Sequence, residues 1–150
     1  MLGMNWIENY LRAGDPEVSE QQLALLANSE NSRIRMRVAE NPRATRRILE
    51  KLAVDTDPDV RLAVATNRSS PRYLIEQLAL DKDATIRHGI AEDPLTPLTL
   101  LQQLCHDGNP YVSCRAKKTL TGLGNVDFNV IDIANNSERG TDWAPTIRYA

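Results

Sequence analysis

Leu52-Ala53-Val54-Asp55-Thr56-Asp57-Pro58-Asp59-Val60-Arg61-Leu62-Ala63-Val64-Ala65-Thr66-Asn67 decides the fold, because moving 26 residues along the chain in either direction finds the same pattern again. Leu26, Leu78 and Leu104 fall under Leu52, and Ala27, Ala79 and Cys105 fall under Ala53. Ser29, Asp81 and Asp107 match Asp55, while Asn31, Asp83 and Asn109 match Asp57. Ile34, Val60, Ile86 and Val112 form an apolar column beside a basic one of Arg35, Arg61 and Arg87. Ala39, Ala65 and Ala91 precede a polar column of Asn41, Asn67 and Asp93, and no insertion breaks the register. A unit of this size cannot bury an apolar face alone, so strict repetition implies neighbours stacked on one another.

Each unit contains two helix starts. Asp57-Pro58 and Ser70-Pro71 pair a capping residue with a proline at the first helical position, where the missing N–H costs nothing; Asn109-Pro110 and Thr96-Pro97 repeat the device. The apolar spacing predicts a first helix through Val60 to about Thr66 and a second through Leu74 to about Leu80. Between them, Asp93-Pro94-Leu95-Thr96 has room for a turn or one 3₁₀ cycle. Helices this short are marginal alone and take their stability from packing. The expected fold is therefore all-α, with about five 26-residue two-helix repeats. Residues 1–25 form a cap and partial repeat, followed by units 26–51, 52–77, 78–103 and 104–120 and a non-repeat tail at 121–150.

The quoted stretch, together with Ala91-Glu92-Asp93-Pro94-Leu95-Thr96-Pro97-Leu98-Thr99-Leu100-Leu101, resembles the leucine-rich repeat variant family over roughly residues 13–116. The resemblance implies a right-handed superhelix of alternating α and 3₁₀ helices, a HEAT-like α-solenoid. Arg68 departs from it where neighbouring units have proline, as does Lys117 in the small-residue column. The iron–sulfur cysteine cluster of a founding member of that family has no counterpart here, so no cofactor is implied. Asn109 to Gly124 also resembles a HEAT-like repeat of the phycobilisome-lyase type.

Charged residues are 25% of the chain and the net charge is −2, which excludes a molecule that is basic overall. The charge is uneven: residues 26–51 carry seven basic and three acidic groups, against one and four in residues 1–25. Two cysteines are too few for a disulfide framework. Met1 to Arg12 lacks the pattern of a signal peptide and no apolar run is long enough to span a membrane, so a soluble cytoplasmic protein without membrane contact is expected.

Asp57 and Arg61, like Asp83 and Arg87, stand four apart on a first helix and read as structural ties within the stack. Asn41, Asn67 and Asp93 read as caps and backbone bridges between units. Cys105 replaces a buried alanine, and with His88, His106 and Cys114 it lacks the paired spacing of a zinc site. No Gly-rich phosphate loop and no histidine beside a nucleophile is present, so a non-enzyme is expected.

The second-helix surface varies most between units. Glu20, Arg46, Arg72 and Leu98 share one column, Gln21, Arg47, Tyr73 and Thr99 the next, and Glu50, Glu76 and Gln102 lie beyond. Arg43, Arg46, Arg47, Arg72, Tyr73, Leu98 and Gln102 are the expected partner-binding residues, suited to an acidic or mixed peptide. A scaffold or adaptor binding a protein or peptide follows. The alternatives are weak nucleic-acid binding through the basic residues of 33–51 and a lyase-like or chromophore-attachment accessory role. Val126 to Ile133 alternates like a strand, and the tail reads as an end-cap or a partner-binding arm. Nothing in the sequence fixes the oligomeric state.

Overall fold

The computed structural model describes residues 6–124, and every regular element among them is helical. In chain order these are α1 (Trp6–Ala13), α2 (Glu20–Leu26), α3 (Ser32–Glu40), α4 (Arg46–Leu52), α5 (Pro58–Thr66), α6 (Arg72–Leu78), α7 (Ala84–Glu92), α8 (Leu98–Leu104) and α9 (Pro110–Gly122). The odd-numbered helices start at 6, 32, 58, 84 and 110, so the 26-residue interval of the sequence is kept from the first described helix onward. α1 and α2 form a helix pair one period before α3 and α4.

The odd helices form one row, α1 against α3, α3 against α5, α5 against α7 and α7 against α9. The even helices do not stack closely on one another. Each sits between two odd helices, α4 against α3 and α5 and α6 against α5 and α7. One continuous core results, with Ile34, Val38, Val60, Val64, Ile86, Ile90 and Val112 from the row and Leu49, Leu52, Leu74, Leu78, Leu101 and Leu104 from the even helices, all buried. Each such side chain contributes about 1.5–3 kcal/mol, which is what holds helices too short to stand alone. Gly89 leaves room for Leu62 of the preceding odd helix, since a Cβ there would meet Leu62 Cδ1 at 2.5 Å.

The odd helices begin as the sequence predicts. Asn31, Asp57, Asp83 and Asn109 each accept a backbone N–H from two residues on, and Pro58 and Pro110 open their helices. The second helices start differently. Ser70 and Thr96 cap nothing; their hydroxyls donate back to Val64 O at 2.5 Å and Ile90 O at 2.7 Å, and the N-cap positions of α6 and α8 are Pro71 and Pro97. Each hydroxyl adds a second donor to a carbonyl at the end of the preceding helix, beside the backbone N–H of Asn67 or Asp93. The connections are single i→i+3 turns, as in Ser70 N donating to Asn67 O and Thr96 N to Asp93 O, each at 3.0 Å.

Asn41, Asn67 and Asp93 stop the odd helices by turning to extended backbone. Proline is not required for this, because α5 ends at Asn67 although Arg68 follows. Thr119 stands in that column in α9 and stays helical, so the helix passes Leu120, where the repeat was expected to end, and closes at Leu123 with Gly124 at φ 68°. Residues 125–150, with the expected strand-like run and end-cap, lie outside the described residues.

Candidate functional site

Arginine and carboxylate pairs occur in two settings. Inside the stack, Arg61 reaches past Asp57 to the next unit, where Nε and Nη2 bind Asp81 at 2.8 and 3.1 Å; Nη1 donates to Asp55 O and Thr56 O. Arg35 holds Asp55 and Arg87 holds Asp107 by the same fork. The expected four-apart ties are therefore corrected. Asp57 and Asp83 cap their own helices, and the Arg column binds the carboxylate twenty residues on. The arginine hydrogen bond holds the Asp81 and Asp107 carboxyls below their ordinary range, against the opposing effect of burial.

The polar column bridges the same junctions. Asn41 Nδ2 donates to Ala13 O and Asp15 O at 2.8 and 3.0 Å, and Asn67 Nδ2 to Ala39 O and Asn41 O at 2.5 and 3.0 Å. Asp93 has no such proton to give, and it accepts from Arg68 Nη1 at 2.8 Å. The two irregular positions, Arg68 for proline and Asp93 for asparagine, are thus partners.

The second-helix surface carries the other setting. Arg46 Nε donates to Glu50 at 2.9 Å and to the Tyr73 hydroxyl at 3.1 Å, its guanidinium lies 5.2 Å from the Tyr73 ring centre, and the Tyr73 hydroxyl donates to Glu50. One unit on, Arg72 binds Glu76 at 2.7 Å and approaches Thr99 at 3.5 Å. The Tyr73 hydroxyl first, then Arg46, holds the Glu50 carboxyl below its ordinary range. These groups are open to solvent, with Arg46 at 70% exposure. Arg47 is exposed with no carboxylate partner among the described residues, Arg43 reaches Pro16 O at 3.2 Å, and Leu98 is exposed beside half-buried Gln102. Every expected partner-binding residue is on or beside an even helix. The links from Tyr73 to Arg46 and Glu50 were missed in the sequence, for they join residues of adjacent units.

The basic residues of 33–51 do not form one patch. Arg35 belongs to the buried ladder, Arg37 pairs with Glu40 and lies over Tyr10, Lys51 binds Asn28, and Arg46 and Arg47 lie on a different helix. Cys105 is buried, and burial pushes its thiol up; Cys114 is exposed, and both are free. Among the described residues no three His, Cys, Asp or Glu are grouped to hold a metal ion, and no helix is long and apolar enough to cross a membrane. An open groove of about 530 Å³ crosses the odd row over Met36, Leu62 and Gly89, edged by Glu40, Asp59 and Glu92. No family model matches this chain, and neither the curated proteins nor the solved structures contain a match to it.

Proposed function

We propose that the chain is a non-catalytic scaffold or adaptor, a right-handed α-solenoid akin to the leucine-rich repeat variant proteins, that binds a protein or peptide through its second helices. The observation that carries this reading is the contrast between a repeated interior and the varied row of Arg46, Tyr73, Glu50, Arg72 and Thr99, exposed and linked from unit to unit. Direct packing along the odd row, without such packing between even helices, supports a curved array with the second helices on its outer side. Tyr73 supplies a rigid aromatic anchor, and Arg47 an open donor for a partner's carboxylate. Engagement of Arg35 and Arg37 within the chain weighs against the nucleic-acid reading.

The test is a nuclease-treated pull-down from the native host, in parallel with the chain carrying Arg46→Glu, Arg47→Glu and Arg72→Glu. The expected result is a stoichiometric protein partner lost in the variant while its melting temperature is nearly unchanged. A partner retained by the variant, or recovery of nucleic acid alone when nuclease is omitted, would reject the second-helix face.

A further inference from the structure

The junction between units 52–77 and 78–103 differs from the others in what it leaves unbonded. At the two earlier junctions the following unit supplies donors to the carbonyls behind it: Asn41 and Asn67, then Arg43 to Pro16 O and Ser69 to Pro42 O. At the last junction Thr119 donates to Ala91 O at 2.7 Å. At this one the matching positions are Asp93 and Leu95, which have no side-chain proton to give, so Ala65 O receives no side-chain donor from the following unit and Asn67 O keeps only its bond from Ser70 N. A cleft of about 230 Å³ opens there, lined by Ala65, Asn67, Arg68, Ser70, Asp93 and Thr96. A carbonyl has two acceptor sites, so Ala65 O and the second site of Asn67 O lack the side-chain donor that Asn67 Nδ2 supplies to the matching pair one unit earlier.

We propose that this cleft binds a primary alkylammonium group, such as the head of a lysine side chain. Its three N–H donors match the three acceptors, Ala65 O, Asn67 O and the Asp93 carboxylate. The equivalent nitrogen one unit earlier, Asn67 Nδ2, already bonds the corresponding pair of carbonyls. Leu95, 70% exposed, lines the cleft and gives the alkyl stem an apolar surface. Arg68 is the internal competitor: it holds Asp93 from a position 65% open to solvent, where an ion pair contributes little and is easily exchanged. None of Arg46, Arg47 or Arg72 lines the cleft, so the inference stands apart from the second-helix reading.

Amide chemical shifts of Asn67, Ser69 and Leu95 report on the cleft during titration with Nα-acetyl-lysine methylamide, n-butylammonium chloride and the neutral Nα-acetyl-norleucine methylamide. The expected result is a saturable response to the two ammonium compounds only, the tighter of them telling a peptide source from a free amine. Arg68→Ala should tighten it several-fold by removing the competitor, and Asp93→Asn should weaken it roughly tenfold or more while restoring the missing donor. No saturable response in either the natural chain or Arg68→Ala would overturn the proposal. So would equal binding by the norleucine compound, or by Asp93→Asn.

Discussion

The interior and the second-helix surface of this molecule use the same arginine–carboxylate pair to opposite ends. Inside, Arg35–Asp55, Arg61–Asp81 and Arg87–Asp107 are three near-copies, each a two-pronged fork, with the Arg61 and Asp81 side chains only 8% and 10% exposed. On the surface, Arg46–Glu50 and Arg72–Glu76 are single contacts within one helix turn, open to water, and no matching pair stands at Leu98. A desolvated pair is kept or lost whole, since losing one partner strands a charge: three junctions hold both members, and at the first Asn9 and Ser29 replace both. A solvated pair has no such constraint, so its column is free to drift from Glu20 through arginine to Leu98. Repetition marks the groups that hold adjacent units together, and drift marks groups free of that constraint.

Truncating an interior pair gives the largest expected effect. Arg61→Ala removes the fork to Asp81 and the donors to Asp55 O and Thr56 O, and should cost about 3 kcal/mol, lowering the melting temperature by about 10 °C. Calorimetry of Arg61→Ala beside Asp57→Ala separates the inter-unit tie from the helix cap, which should cost only about 1 kcal/mol. Equal losses in the two variants would mean that the fork adds nothing beyond a local contact.

The ladder also has a pH signature. Because Asp81 and Asp107 are held below their ordinary range in the folded chain, their contribution is complete above the unfolded carboxylate value of about 3.9 and is lost as pH falls through the folded value. The melting temperature should stay level above about pH 5 and fall below about pH 4. The double variant Asp81→Asn, Asp107→Asn should start lower and have a flatter acid limb. An acid limb as steep as that of the natural chain would assign the loss to other carboxylates.

Much of this was legible in the sequence where the governing interaction is local. Asn31, Asp57, Asp83 and Asn109 declare their helix starts because a cap reaches only two residues ahead. Arg61 misleads for the same reason: Asp57 is the near carboxylate in sequence, yet it is occupied by Asp59 N, and stacking alone brings Asp81 within reach. Arg68 stands out as a departure from its column, but its pairing with Asp93 appears only once two units are packed. Ser70 and Thr96 look like caps because a hydroxyl before proline usually is one; the end of the preceding helix offered their protons a carbonyl acceptor instead. Of the second-helix surface, the sequence columns showed which positions vary, and the coupling of Arg46 to Tyr73 across a unit boundary belongs to the fold.

The smallest expected effect sharpens the contrast most. Arg46→Ala deletes a hydrogen bond to Glu50, another to Tyr73 and a guanidinium over an aromatic ring, as many contacts as some interior arginines make. Its melting temperature should nevertheless stay within about 2 °C of the natural chain, because every group it leaves behind is hydrated and loses no partner that water cannot replace. Tyr73 would then be held only by its hydrogen bond to Glu50, and nitrogen-15 relaxation of α6 with side-chain proton shifts of Tyr73 should show a more mobile ring in an unmoved helix. If Arg46→Ala instead destabilised the chain as Arg61→Ala does, the link between α4 and α6 would be part of what holds the units together. The variation of its column from unit to unit would then reflect altered packing, and the second-helix surface would lose its claim to be the contact face.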